Sequence, residues 1–253
     1  MELGLKHKNC IITGGSRGIG LAIAQGLAAE GANVAICART KASLQQAEAA
    51  LREHGVTVHA RSCDVADPQA LAAFLDGARE ALGGVDILIH NASALATGPT
   101  LADWDASLQV DVMGAARACA QVTPWMAEAG GGTILFVSSV SGLEVFPAPD
   151  FAYTAAKAAL IAYAKKLAVL LAPQRIRVNA IAPGSTEFPG GLWETIRQSQ
   201  PAMYEAARGS IPWGRMATAQ EIADVAVFLV SPRAGWVVGE CVSVDGGQHR
   251  GMR

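Results

Sequence analysis

Short apolar runs rich in β-branched residues alternate along this chain with longer segments whose apolar residues recur every three or four positions. The short runs predict seven strands, at residues 9–13, 33–38, 57–62, 86–90, 133–138, 177–181 and 242–244. Because strands and helices alternate over the whole chain, the pattern predicts a parallel α/β sheet, doubly wound, with helices on both faces.

The predicted helices carry recognisable start and stop signals. One helix, at 19–30, stops before Gly31, and the next, at 43–54, stops before Gly55. Asp67 and Pro68 are a typical N-cap and first helical residue. Two longer helices are predicted at 101–129 and 151–171. With no linker or repeat in the sequence, residues 1–253 are expected to form a single domain.

Residues 184–217 do not follow this alternation. The segment is rich in glycine and proline and also contains four large aromatic residues, which argues against disorder. We interpret residues 184–217 as a lid with short helices over a substrate site. The alternative is a structural excursion that packs against a neighbouring subunit.

Composition and charge exclude several function classes. The chain is 51% hydrophobic and 17% charged, with a net charge of −2. This near-neutral balance gives no electrostatic basis for binding nucleic acid or an anionic membrane surface. No run of about 20 apolar residues is present, so no membrane span is expected. The N-terminal residues lack the apolar core of a secretion signal, and a cytoplasmic location is expected.

Five cysteines, an odd number, are widely spaced with no Cys-x-x-Cys motif. The pattern favours buried, reduced thiols and no metal site. A metal site or a redox pair is the alternative.

A glycine-rich turn follows the first predicted strand and reads Thr-Gly-Gly-Ser-Arg-Gly-Ile-Gly at residues 13–20. Glycines at a strand-to-helix turn let the backbone approach a pyrophosphate, and the helix N-terminus then offers free N–H groups. A glycine turn at the first strand-to-helix connection of an alternating chain predicts a Rossmann-type sheet. The candidate cofactor-binding residues here are Gly14, Ser16, Arg17, Gly18, Ile19 and Gly20.

The end of the second strand indicates which dinucleotide binds. A carboxylate there would favour the ribose 2′-hydroxyl of NAD, but the chain has Ala38 followed by Arg39. Together with Arg17, Arg39 predicts a pocket for a 2′-phosphate, hence NADP(H), with NAD less favoured. The alternative is that both arginines are simply solvated.

A tyrosine and a lysine share one face of the helix predicted at 151–171. Tyr153 and Lys157 are four residues apart, so the lysine ammonium can favour the phenolate of the tyrosine. Just upstream, Ser138, Ser139 and Ser141 lie at the carboxyl end of the fifth strand. A hydroxyl there can donate a hydrogen bond to a substrate carbonyl.

Taken together, the glycine turn, the Tyr-x-x-x-Lys segment and the Asn-x-x-x-Pro-Gly segment at 179–184 resemble the short-chain dehydrogenase/reductase family, in particular its 3-oxoacyl reductase-like members. The resemblance spans roughly residues 5–248. It implies that Tyr153 is the general acid/base, that Lys157 assists it and binds the nicotinamide ribose, and that Ser139 polarises the carbonyl.

The resemblance also implies further cofactor contacts and shows departures from the family pattern. Asp64 is expected to meet the adenine amino group and Thr186 the nicotinamide amide; the other implied cofactor residues are Val65, Asn91, Ala92, Pro183 and Gly184. His90, Ser93 and Phe188 differ from the usual residues. We interpret His90 as a packed, hydrogen-bonded residue rather than a catalytic one.

The departure with the largest chemical consequence is Asp111, which occupies the place of the family's catalytic asparagine. An ionised Asp111 beside Lys157 would stabilise the ammonium and shift alcohol oxidation to higher pH. Alternatively, Asp111 points away and its charge has no effect.

The predicted function is interconversion of a ketone and a secondary alcohol with NADP(H), on a small-molecule substrate. The alternatives are a dinucleotide-binding sensor or scaffold without turnover, and a 3-oxoacyl reductase acting on acyl carrier protein. Residues 126–133 contain no Lys or Arg to bind an acidic carrier, which weakens the last alternative. By resemblance, helices 101–129 and 151–171 would pair between subunits, giving a homotetramer or homodimer.

Overall fold

A computed structural model describes residues 2–252 and contains a seven-stranded parallel sheet with the order β3-β2-β1-β4-β5-β6-β9. This confirms the predicted fold class. The sheet strands are β1 (Asn9–Thr13), β2 (Asn33–Ala38), β3 (Val58–Ser62), β4 (Ile87–His90), β5 (Gly132–Val137), β6 (Ile176–Pro183) and β9 (Cys241–Val244). Predicted and observed strand ends agree within one residue, except at Pro183, where β6 runs two residues farther.

Helices cover both faces of the sheet. They are α1 (Gly18–Ala29), α2 (Lys41–Arg52), α3 (Pro68–Leu82), α4 (Leu101–Ser107), α5 (Gly114–Glu128), α6 (Phe151–Leu171), α7 (Leu192–Ser199), α8 (Pro201–Ser210) and α9 (Ala219–Val230), with short 3₁₀ turns at Val140–Gly142, Ala172–Gln174 and Pro232–Ala234. The expected cap of α3 is present, since the Asp67 carboxylate accepts from the N–H groups of Gln69 and Ala70.

Two apolar layers hold the helices to the sheet. Neighbouring residues of β1 alternate between them, with Ile12 in the layer beside α1 and α9 and Ile11 in the layer beside α3, α5 and α6. Both side chains are fully buried, as expected for a parallel sheet covered on both faces. This packing brings the carboxyl ends of all the strands to one edge. The strand order reverses between β1 and β4, the position where such sheets bind ligands.

The prediction of one regular helix over 101–129 was wrong in its middle. Residues Leu108–Met113 form a π-helical turn between α4 and α5. A π-turn accommodates an extra residue and redirects the side chains on either side of it. It places Gly114 so close to His90 that a Cβ there would lie 3.2 Å from the imidazole Cε1 atom. Asp111 is inside this turn.

The segment expected to form a lid contains α7, α8 and a small parallel ladder between β7 (Thr186–Glu187) and β8 (Ala217–Thr218). Its helices pack around an apolar cluster of their own, formed by Ile196, Tyr204, Ile211 and Met216. The short helices are thus a subassembly attached to the carboxyl edge of the sheet. Among the residues described, no helix combines the length and apolar character needed to cross a bilayer.

Several large apolar side chains on α4, the π-turn and α6 face solvent. Leu101 is 85% exposed, Phe151 57% and Val169 70%, and Leu108, Met113 and Leu170 are also exposed. Because apolar surface of this extent favours association, we predict a homodimer or homotetramer through these helices. Light scattering at micromolar concentration should give at least twice the 26.1 kDa of one chain. A particle of monomer mass would contradict the prediction.

Candidate active site

The glycine turn between β1 and α1 lets another backbone segment approach closely. Gly14 has a φ of +69°, and a Cβ there would lie 2.9 Å from the Cα of Ala92. A Cβ at Gly20 would collide with the carbonyl oxygen of Gly14. Arg17, the N-cap of α1, makes no side-chain capping hydrogen bond, so the first N–H groups of α1 are available to an anion. This turn fits a dinucleotide pyrophosphate.

The residues that follow β4 are hydrogen-bonded to Thr13 and the glycine turn. The Asn91 side-chain amide donates to the carbonyl oxygens of Thr13, at 3.2 Å, and Gly14, at 2.9 Å. The backbone N–H groups of Asn91 and Ala92 both donate to the Thr13 hydroxyl at 3.2 Å. These hydrogen bonds of Asn91 and Ala92 thus stabilise the conformation of the glycine turn.

The expected adenosine end lies at the tips of β2 and β3. Arg39 is exposed there, as an arginine that meets a 2′-phosphate must be. Asp64, also exposed, accepts from the N–H of Ala66 through one carboxylate oxygen, at 3.0 Å. The hydroxyl of Ser43 lies 3.2 Å from that of Ser16 and adds a polar group that the motifs did not reveal. The position of Ser43 in the first turn of α2, where a helix can bind an anion, could have indicated this residue from the sequence.

Arg17 and Phe188 make contacts between segment 184–217 and the glycine turn. The Arg17 guanidinium donates to the carbonyl oxygen of Gly190 at 3.2 Å. The Phe188 ring covers Gly18, where a Cβ would lie 2.6 Å from the ring. Segment 184–217 therefore contacts the glycine turn directly, in part through Phe188, one of the residues that depart from the family pattern.

At the other end of the carboxyl edge of the sheet, Gly184 follows β6 and Thr186 begins β7. The Thr186 hydroxyl donates to the Gly184 carbonyl oxygen at 2.9 Å. The Gln248 side chain accepts from the Ser185 N–H at 2.6 Å and so anchors the loop after Pro183. Gln248 is a further residue that the motifs did not identify.

Tyr153 and Lys157 lie on α6 in the predicted i, i+4 arrangement, and the Lys157 Nζ atom is 5.5 Å from the centroid of the Tyr153 ring. Tyr153 is half-buried and Lys157 is only 2% exposed. Of the serines at the end of β5, Ser138 donates to the Lys157 carbonyl at 2.8 Å. Ser139 accepts from the Ser141 N–H at 3.1 Å, which leaves its own proton free to be donated.

Asp111 forms a buried ion pair with Lys157. One carboxylate oxygen is 2.9 Å from the lysine Nζ, and the other accepts from the N–H of Ala94 at 2.9 Å. The Lys157 ammonium also donates to the carbonyl of Val137 at 3.1 Å. Burial disfavours the ammonium, but Asp111 and Tyr153 together outweigh it, and the pKa of Lys157 lies above its ordinary value. The lysine therefore stays charged in its buried position.

His90 lies near this ion pair, but its imidazole is uncharged at neutral pH. It is fully buried, and its Nδ1 atom is 3.1 Å from the Thr13 hydroxyl. Burial lowers the pKa of His90 to about 4, so the imidazole is neutral at neutral pH. The interpretation of His90 as a packed, hydrogen-bonded residue is confirmed.

These groups lie along one edge of a doubly wound sheet, from the tips of β2 and β3 to the loop after β6. The fold and site define a class: α/β oxidoreductases that bind a dinucleotide across the carboxyl ends of their strands.

Comparison with known proteins agrees with this class. A family model described as enoyl-(acyl carrier protein) reductase matches residues 14–249. Isoepoxydon dehydrogenase of Penicillium expansum is 37% identical, over 100% of this chain and 99% of its own length. The structure of L-sorbose reductase from Gluconobacter frateurii, complexed with NADPH and L-sorbose, superposes with a TM-score of 0.91 at 33% identity and covers 100% of both chains. An NAD⁺-bound xylitol dehydrogenase superposes with a TM-score of 0.90 at 30% identity, over 96% of this chain and 99% of that one.

The chain belongs to the short-chain dehydrogenase/reductase family. It is an oxidoreductase of the kind that interconverts ketones and alcohols.

Proposed function

We propose that the chain is an NADP(H)-dependent enzyme that interconverts a small ketone and its secondary alcohol with a Ser139–Tyr153–Lys157 site. The observation that carries the proposal is the charged Lys157, buried against Asp111 and one helical turn from Tyr153. A buried ion pair contributes little net stability because of its desolvation cost, so a role in catalysis accounts for it better than packing does.

The cofactor would lie along the carboxyl edge of the sheet. The glycine turn and the first turn of α1 would hold its pyrophosphate, Asp64 and Val65 its adenine, and the loop from Pro183 to Thr186 its nicotinamide. Arg39, with Ser16 and Ser43 nearby, would hold the 2′-phosphate. When bound, the nicotinamide supplies or accepts the hydride.

The protein's own groups handle the substrate oxygen. The Ser139 hydroxyl donates a hydrogen bond to the carbonyl and holds it beside Tyr153. The Tyr153 hydroxyl gives its proton to the forming alkoxide; in the reverse direction, the Tyr153 phenolate takes the proton from the alcohol. The Lys157 ammonium stabilises the negative charge that then remains on the tyrosine oxygen. Asp111 acts through Lys157 as a positioning residue.

The relatives differ in substrate and cofactor. L-sorbose reductase was solved with NADPH and a sugar, whereas the xylitol dehydrogenase holds NAD⁺. In this chain, Arg39 and the lack of an acid at Ala38 favour the phosphorylated cofactor. A cytoplasmic location, a substrate-covering role for residues 184–217 and a homo-oligomeric state complete the proposal.

The test is a panel of small ketones and secondary alcohols, both apolar and polyhydroxylated, assayed with NADPH or NADP⁺ and with NADH or NAD⁺. We expect turnover of at least one pair and a kcat/KM at least about tenfold higher with the phosphorylated cofactor, a difference of roughly 1.4 kcal/mol. Cofactor binding without turnover of any compound would favour a sensor instead.

A double variant, Ala38→Asp with Arg39→Leu, provides the control for cofactor choice. It places a carboxylate at the end of β2 and removes the cation, so the preference should move towards NAD(H) with the substrate range unchanged. An unchanged preference would show that other residues choose the cofactor.

A further inference from the structure

Two cysteines lie together beneath the expected adenosine end of the site. The β2–β3 register pairs Cys37 with Arg61, so Cys37 and Cys63, two residues beyond Arg61, point to the same face of the sheet. The Cys63 N–H donates to the Ala38 carbonyl at 3.0 Å, which holds the two strand ends together. Both side chains belong to the same apolar layer.

The two thiols influence each other and are unequal. The interaction between the thiols lowers the pKa of Cys63, whereas the same interaction and burial raise that of Cys37 well above its ordinary value. Cys37 is fully buried, whereas Cys63 is 4% exposed between the exposed residues Ser62 and Asp64. A reagent the size of water therefore meets Cys63 first, with Cys37 immediately behind it.

We propose that Cys37 and Cys63 are an oxidative modification site, a dithiol that hydrogen peroxide converts to a disulfide, and that the disulfide weakens cofactor binding. The second half of the proposal rests on the proposed cofactor site. The first half stands on the paired cysteines alone.

The chemistry balances with peroxide as the only oxidant. The Cys63 thiolate attacks one peroxide oxygen, the O–O bond breaks, and Cys63 becomes a sulfenic acid as the other oxygen leaves as water. The Cys37 sulfur then attacks the Cys63 sulfur. The S–S bond forms, the S–O bond breaks, and a second water leaves with the thiol proton. Two thiols are oxidised, and one peroxide is reduced to two waters.

Formation of the disulfide should move the segment after β3 more than it moves β2. A disulfide holds its two Cα atoms within roughly 4.4–6.8 Å. The strand ladder and a 3.1 Å bond from the Gly15 N–H to the Cys37 carbonyl restrain Cys37. Cys63 lies just beyond the end of β3, so it shifts and carries Asp64 and Val65 with it. These two residues are the proposed adenine contacts.

The first experiment detects the bond. Reduced full-length protein is treated with hydrogen peroxide, its remaining thiols are alkylated, and a non-reducing digest is analysed by mass spectrometry. We expect a peptide linking Cys37 to Cys63 that dithiothreitol separates. The link should be absent from Cys37→Ser and Cys63→Ser and present in Cys119→Ala, which removes another buried free thiol away from the site. Sulfinic acid at Cys63 with Cys37 still free, or no oxidation, would overturn the proposal.

The second experiment measures the consequence. NADPH binding is titrated to wild-type protein and to Cys37→Ser, each before and after peroxide. Oxidised wild type should bind about tenfold more weakly, the variant should change little, and NADPH added first should slow disulfide formation. A disulfide that forms without altering NADPH affinity refutes the regulatory half. If neither NADPH nor NADH binds reduced protein, the proposed function fails, while the peptide link still decides the first half.

Discussion

Replacing Tyr153 with phenylalanine is expected to reduce kcat for ketone reduction by at least about a hundredfold, because proton transfer by a positioned group typically contributes 10²–10⁴-fold. The phenylalanine ring keeps the packing of a half-buried residue on α6. Cofactor affinity should therefore change by less than about threefold, and the loss should fall on kcat rather than on the dissociation constant of NADPH.

A second tyrosine on the same helix supplies a matched control. Tyr163 stacks on Phe136 with ring centroids 5.4 Å apart, and burial raises its pKa far above the ordinary value, so its hydroxyl has no role in proton transfer near neutral pH. Tyr163→Phe should keep nearly the wild-type kcat. Steady-state kinetics and NADPH titration of both variants decide the matter. More than a few per cent of wild-type turnover in Tyr153→Phe would remove Tyr153 from the proposed role.

The second large effect concerns the ion pair between Asp111 and Lys157. Asp111→Leu would leave a lysine that is 2% exposed without its counter-ion. Removing one partner of a buried pair typically costs roughly 3–5 kcal/mol. We expect urea unfolding to show a loss of that order. The surface variant Asp105→Asn, on α4, should unfold like the wild type.

The conservative variant Asp111→Asn separates charge from shape. Its side-chain oxygen can still accept from the Ala94 N–H, but it no longer offsets the ammonium of Lys157. The Lys157 charge should then favour the Tyr153 phenolate more strongly. The pH at which alcohol oxidation reaches half its maximum should fall by roughly half a unit. An unmoved pH profile would show that the Asp111 carboxylate does not act on the tyrosine.

In the wild type, the titration of Lys157 itself does not interfere with this measurement. Its pKa is raised in the folded protein, so its contribution to stability is complete below the ordinary value of 10.5 and is lost only as the pH rises through the higher folded value. His90, with a pKa of about 4, is neutral throughout a scan from about pH 6 to 10. In Asp111→Asn, Lys157 loses the carboxylate that raises its pKa, so a shift in that range reports on the coupled Tyr153 and Lys157 pair.

Local sequence was sufficient for the layered fold and for proposing the cofactor and catalytic residues. A parallel strand buried on both faces must be apolar, and a turn that meets a phosphate must be glycine-rich, so both leave continuous marks in the chain. The spacing of Tyr153 and Lys157 could likewise be read directly, because one helical turn relates them.

Contacts between distant segments could not be read in this way. Whether Asp111 faces Lys157 depends on a π-turn that has no simple periodic signature, and the sequence left both orientations open. The proximity of Cys37 to Cys63, of Ser43 to Ser16 and of Gln248 to Ser185 depends on strand register and loop path. Those features are decided by the packing of the whole sheet, since only the folded chain brings residues far apart in sequence within hydrogen-bonding distance.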